Sequence, residues 1–119
     1  MVFAAFNVKI AKRKEQKMPE FANPFSGNKC DKILSKNELV RAVRFSIASE
    51  FEAIQLYEQL HDSIENEEAK KLLIEISGDE KEHVGNLLHL LKILAPEEEN
   101  YYKEGWREAA DFMELKSSD

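Results

Sequence analysis

The chain has 119 residues, a formal net charge of -6, and 34% charged against 43% hydrophobic residues; it is long enough for one globular domain and too apolar for a disordered polymer. Its acidity argues against nucleic acid as a partner, which calls for a basic face. The single Cys30 excludes an internal disulfide and a Cys-x-x-Cys metal knuckle, and no apolar run approaches the roughly 20 residues of a membrane helix.

Four glycines and three prolines make long helices easier to build than hairpin-rich sheet. The expected fold is therefore all-α. Residues 1–34 read as a separate N-terminal arm. They carry a basic run (Lys9, Lys12, Arg13, Lys14, Lys17), then a loop-like stretch from Pro19 to Asn28, with no helical or strand period. A mobile tail is the preferred reading over a docking arm. Met1 and Met18 both qualify as the start of translation. The apolar start, Val2 to Phe6, is too short for a signal-peptide core, so the expected location is cytoplasmic.

Order is expected over 35–115. Ser35-Lys-Asn-Glu38 is a capping box, and from it a stripe runs Val43, Ile47, Glu50, Ile54, Tyr57 with the four-and-three spacing of one helical face. This helix is expected to last until about Glu65. Asn66 then caps a second helix, with Glu67 and Glu68 in its first turn, where negative charge suits the dipole. Its stripe is Leu73, Ile76, Glu80, His83, Leu87, Leu90, Leu94. Pro96 ends that helix and opens a shorter third one bearing Tyr101, Tyr102, Trp106, Phe112 and Met113. Residues 116–119 read as a polar, frayed tail. Two long helices joined by a tight turn make an antiparallel hairpin, which buries only one face of each. A second copy would complete a four-helix bundle, unless the third helix folds back over the exposed surface.

Both stripes are interrupted by ionisable residues near their middles: Glu50 in the first, Glu80 and His83 in the second. An unpartnered buried carboxylate costs several kcal/mol, on the order of the stability of a small domain. Glu50 precedes the turn by about as many residues as Glu80 and His83 follow it, so the three sit level. Carboxylate oxygens with an imidazole nitrogen suit iron or manganese, with zinc as a further substitute. A di-iron carboxylate bundle uses one Glu from each of two helices and a Glu-x-x-His from each of the other two. One chain offers half of that set and a homodimer all of it. The competing explanation is a buried polar network that fixes helix register in a metal-free assembly module.

Other candidates weigh less. Glu58-x-x-His61 repeats the spacing, but Glu58 lies about 80° around the helix from Glu50 and reads as solvated. His61 reads as a helix-end histidine and His89 as a surface or packing residue. Glu52 points away from Glu50, either as plain surface or as a guide for cations. Tyr57 is equally well explained as core and as a hydroxyl donor beside the ligands.

The stretch Glu50-Phe-Glu-Ala-Ile-Gln-Leu-Tyr57, followed by Asp79-Glu-Lys-Glu-His83, resembles the encapsulated ferritins, short members of the ferritin and rubrerythrin superfamily carried inside encapsulin shells. The resemblance covers about Lys36 to Met113. It implies a ferritin-like hairpin that dimerises, then forms a ring of dimers, and a ferroxidase whose two irons are bound by Glu50, Glu80 and His83 of each subunit. It further implies an encapsulin shell as partner and compartment, with mineral storage delegated to that shell. In that family the position of Glu52 belongs to an outer site through which metal approaches; its usual preceding carboxylate is Ser49 here. The family's short C-terminal cargo tail is not recognisable in Glu114 to Asp119, and no shell domain follows, which leaves the N-terminal segment as the candidate for targeting. A rubrerythrin-like peroxide reductase is the enzymatic alternative; the rubredoxin cysteine pairs it usually uses for electron supply are missing. Sequence does not choose between dioxygen and peroxide as oxidant, or fix the number of dimers.

Overall fold

The structure, a computed structural model, describes residues 28–117, with side chains through residue 114. The chain divides into two units, Met1–Ile33 and Leu34–Asp119. In the first, the described residues from Asn28 form bends without regular structure; Cys30 is half-buried and Ile33 exposed. The basic run at 9–17, the two start methionines and the mobile-tail reading lie outside the described residues, as do Ser118 and Asp119.

The described residues of the second unit form three helices joined by short connections. Helix α1 spans Lys36–Asp62. Its capping box forms as the sequence predicts: Ser35 Oγ accepts the Glu38 N–H at 3.2 Å, and Glu38 Oε1 accepts the Ser35 N–H at 2.9 Å. The helix stops three residues before the expected Glu65. Ser63 closes it, its N–H donating to the Leu60 carbonyl at 3.1 Å and its hydroxyl to the Gln59 carbonyl at 2.7 Å. Two carbonyls that the helix end leaves without a partner are satisfied in this way. Asn66 caps helix α2, Glu67–Leu94, by accepting the Ala69 N–H at 2.9 Å. Ala95 leaves helical geometry at φ -138° and ψ 69°, and Pro96 opens helix α3, Pro96–Ser117, at the position where its missing N–H costs nothing. Lys116 and Ser117, expected in the tail, continue that helix.

α1 and α2 pair along their length, and α3 touches the end of α2. The core is thin: Val40 and Val43 of α1 meet Leu91 and Ala95, with Ile47 and Leu94 against them. Ile54, Ser77 and Val84 continue the buried seam toward the loop. On α2 this seam, at 77, 84 and 91, is rotated from the expected stripe. Leu73, Ile76, Glu80, Leu87 and Leu94 are half-buried, and His83 and Leu90 are exposed. The reason is the width of the apolar arc, which is greater than one neighbouring helix can cover. The expected stripe marks its centre, and its far side faces solvent. Leu56 and Leu60 on α1, with Leu72 and Ile93 on α2, stay open; Leu56 and Leu72 are 57% and 58% exposed. Exposed large apolar side chains on both helices of the pair are candidates for an interaction surface. The described residues thus form an antiparallel helical hairpin and a third helix, the all-α architecture expected from the sequence.

α3 is tied to α1 by side chains. The Arg44 guanidinium grips both carboxylate oxygens of Glu98, Nε reaching Oε2 at 3.2 Å, and the Tyr102 hydroxyl donates to the same carboxylate. Arg44, and then Tyr102, hold the Glu98 carboxyl below its ordinary pKa against the opposing effect of burial. A folded-state pKa below the unfolded value adds stability that is full above the unfolded value and is lost as pH falls through the folded one. The attachment of α3 should therefore weaken as pH drops below the ordinary carboxylate range. Thermal unfolding of the wild type and Glu98→Gln across acid pH checks this: the variant should lose stability near neutrality and show the flatter acid slope. Parallel slopes would contradict it.

Candidate metal centre

Glu50 lies twelve residues before the end of α1, and Glu80 thirteen after the start of α2. At equal rise in an antiparallel pair the two come level. His83 follows Glu80 by three residues and stands on the same flank of α2. The structure brings these three together: one ligand atom from each lies within 4.8 Å of the others. His83 Nδ1 is 3.6 Å from Glu50 Oε2 and 3.5 Å from Glu80 Oε2, close enough for attraction, although neither contact is a hydrogen bond.

The burial is graded. The Glu50 and Glu80 side chains are 22% and 19% exposed, and that of His83 is 50% exposed. The carboxylates are thus largely covered while the imidazole is half open to solvent. Glu50 Oε2 is buried without a hydrogen-bond partner. A carboxylate oxygen in that state lacks the compensation that buried polar atoms normally receive. A cation among the three groups would supply it. Two hard oxygen donors and an imidazole, with no thiolate, fit iron, manganese or zinc.

The remaining candidates fall elsewhere. Glu52 is exposed and Tyr57 half-buried on the same helix. His61 is half-buried and pairs through Nδ1 with Asp62 Oδ1 at 2.9 Å; His89 is exposed. Glu58 departs from its solvated reading: it is half-buried, with Lys81 Nζ at 2.9 Å and the Ser77 hydroxyl at 3.2 Å from its Oε2, and Lys81, then Ser77, hold its pKa below the ordinary carboxylate value. The sequence carried a sign of this, since Ser77 stands seven residues before Val84 and fourteen before Leu91, on the buried line of α2.

A family model described as Rubrerythrin matches residues 42–116. The ferritin-like–encapsulin shell fusion protein of Pyrococcus furiosus is 36% identical over 87 residues, which cover 73% of this chain and 25% of that protein. The encapsulin nanocompartment cargo protein EncC of Myxococcus xanthus is 34% identical over 87 residues, 73% of this chain and 65% of its own length. The chain thus spans about a quarter of the first relative and just under two thirds of the second. The crystal structure of the encapsulated ferritin domain from Pyrococcus furiosus matches with a TM-score of 0.69 at 36% identity, over 73% of this chain and 89% of that one. Among the described residues no helix is long and apolar enough to cross a membrane. The family model covers more than half of the sequence and the solved relative shares the helical architecture, and on both grounds the chain belongs to the rubrerythrin family of ferritin-like proteins.

Proposed function

We propose that the chain is a ferroxidase, oxidising Fe(II) to Fe(III) at a di-iron site shared between two copies of itself and feeding iron storage in an encapsulin nanocompartment. The observation that carries this reading is the convergence of Glu50, Glu80 and His83 on the hairpin, with a buried Glu50 oxygen that has no hydrogen-bond partner among the described residues. Half a di-iron ligand set on one hairpin is what one partner of a two-fold bundle presents. The relatives named as an encapsulin fusion and an encapsulin cargo protein support the choice of compartment.

Bound iron would supply the redox chemistry, each Fe(II) giving one electron to dioxygen or peroxide and leaving as Fe(III). The chain's own groups do the rest. Glu50 and Glu80 provide ionised oxygens, and across two copies four carboxylates balance the charge of two Fe(II). That same charge stabilises the more highly charged ferric product relative to ferrous substrate. His83 offers an imidazole nitrogen on the more exposed side. Ligation requires deprotonated carboxylates and a free imidazole nitrogen, so metal uptake weakens in acid, where protons compete for the same atoms. We assign Glu52, exposed and two residues beyond Glu50 on α1, to an outer site where metal approaches, and the Tyr57 hydroxyl to orienting a ligand. A ring of such dimers is the expected assembly, with manganese or zinc able to occupy the site without the same turnover.

The shared site has a thermodynamic consequence. Metal that binds the paired state and not the lone hairpin must favour the dimer. Anaerobic titration with Fe(II), followed by native mass spectrometry, should convert monomer to a dimer that holds two irons. A tight site saturating at one iron in a species that stays monomeric would sink the proposal. The match to a family described as Rubrerythrin favours one alternative, a di-iron peroxide reductase. Sustained peroxide turnover with an added reductant, at a rate that dioxygen with Fe(II) does not reach, would identify it.

A further inference from the structure

Ser77 is 1% exposed, the largest fully buried side chain among the described residues, and it is polar. Its hydroxyl donates across the seam to Glu58 Oε2 at 3.2 Å. Lys81, one turn on along α2, reaches the same oxygen at 2.9 Å. A single carboxylate from α1 is thus held by two groups spaced i and i+4 on α2. Pairs this exposed contribute little to stability, since the Lys81 and Glu58 side chains are 59% and 39% exposed. What the arrangement fixes is position.

We propose that Glu58, Ser77 and Lys81 form a register clamp, holding α1 and α2 at the axial offset at which Glu50 meets Glu80 and His83. The inference rests on the metal-site reading above. The aliphatic seam does not set the offset by itself. Val40, Val43, Ile47 and Ile54 facing Val84, Leu87 and Leu91 recur at three- and four-residue spacing, so a slide of one turn, about 5.4 Å, would re-form many of the same kinds of contact. Such a slide would carry Glu50 away from Glu80 and His83, whose ligand atoms now lie within 4.8 Å. It would also take Glu58 from both of its partners and leave a buried hydroxyl to be satisfied anew. Polar groups at otherwise apolar seam positions are the best-attested registry devices in helical assemblies.

The clamp is placed to act on the site. Ser77 precedes Glu80 by three residues and Lys81 follows it by one, so clamp and ligands share two turns of α2. Relative to Glu80, Ser77 and Lys81 are rotated by about 60° and 100° in one sense and His83 by about 60° in the other. The clamp therefore closes one flank of the seam and leaves the ligand flank open. Glu58, Ser77 and Lys81 are positioning residues; none of them belongs to the three-residue ligand group.

The test uses the full chain with Co(II) as a spectroscopic probe and Fe(II) as substrate. Glu58→Ala should shift the visible absorption of bound Co(II) and lower kcat for Fe(II) oxidation about tenfold, the scale of losses when groups that orient ligands are removed. Glu58→Gln, which keeps an acceptor for Ser77, should recover most of both. Should Glu58→Ala not fold, Ser77→Ala takes its place, because a methyl fits the same buried space; it should shift the Co(II) spectrum in a folded chain. A wild-type spectrum and kcat in a folded Glu58→Ala or Ser77→Ala protein would overturn the clamp. Glu80→Ala, assayed beside them, separates the two ideas. Loss of metal binding in Glu80→Ala with silent clamp variants defeats the clamp alone, whereas unchanged binding and oxidation in Glu80→Ala defeats the metal site on which the clamp depends.

Discussion

Glu80→Ala and His83→Ala should each lower the rate of Fe(II) oxidation by roughly two orders of magnitude or more while leaving the hairpin folded. Losing a group that merely orients a ligand already costs about 10- to 100-fold in affinity or activity. Here a proposed ligand itself is lost, and in the proposed shared site every substitution is made twice, once by each copy. The second half of the expectation concerns the metal-free protein. Glu50 and Glu80 lie at the seam with most of their side-chain surface covered, and in a two-fold pair each would face its own mate's charge. Like charges held together raise the free energy of the apo state, and replacing buried ionic groups by apolar ones is often neutral or stabilising. Glu80→Ala should therefore match or exceed the wild type in thermal midpoint without metal, and should lose the increase that metal gives the wild type. Stopped-flow absorbance of ferric product and melting curves with and without Co(II) read the two effects separately. A variant that loses activity because it melts earlier would assign these residues to structure, and one that keeps its activity would remove them from the site.

Much of this molecule could be read from the sequence because its signals are local. The Ser35–Glu38 box, the Asn66 cap and the Pro96 break each involve residues within four positions of one another, and all three lie where the spacing placed them. The level placement of Glu50 and Glu80 follows from counting residues along two rods joined by a short loop. What could not be read depends on rotation about the helix axes. The period of α2 locates the middle of its apolar arc, yet an arc wider than one neighbour covers has no edge in the sequence to say which part that neighbour takes. Hence Ser77, Val84 and Leu91 form the seam within the chain while His83 and Leu90 face outward. The bonds to Glu58 were hidden for a related reason: an angle of about 80° from Glu50 points to solvent on an isolated helix, but on the flank of a paired helix it points at Ser77 and Lys81. Ser63 was equally opaque, since whether a serine stops a helix depends on which carbonyls its hydroxyl finds.

The same geometry leads to an expectation about iron storage that separates this chain from a cage-forming ferritin. A cage-forming ferritin encloses its cavity with subunits that each bring a complete four-helix bundle. In this chain the hairpin supplies two long helices, and α3 contacts the end of α2 instead of folding along the open face of the pair. Leu56 and Leu72 are exposed; in the proposed dimer a second copy is used up in making one bundle, which leaves α3, among the described helices, to link bundles. The net charge of -6 can raise the local concentration of Fe(II) and speed its capture, but attraction without enclosure does not confine a ferric solid. The isolated protein should thus oxidise a large excess of Fe(II) and release product that aggregates outside it. Size-exclusion chromatography after loading should return protein with little more iron than its sites hold, and precipitate should carry the remainder. Co-expression with an encapsulin shell should keep the ferric product soluble in a particle of shell dimensions. The charge argument also predicts that added salt slows capture from dilute Fe(II) without changing where the product goes. If a discrete, soluble particle of this chain alone eluted with a mineral-scale load of iron, storage would be its own property, and the division of labour with a shell would have to be abandoned.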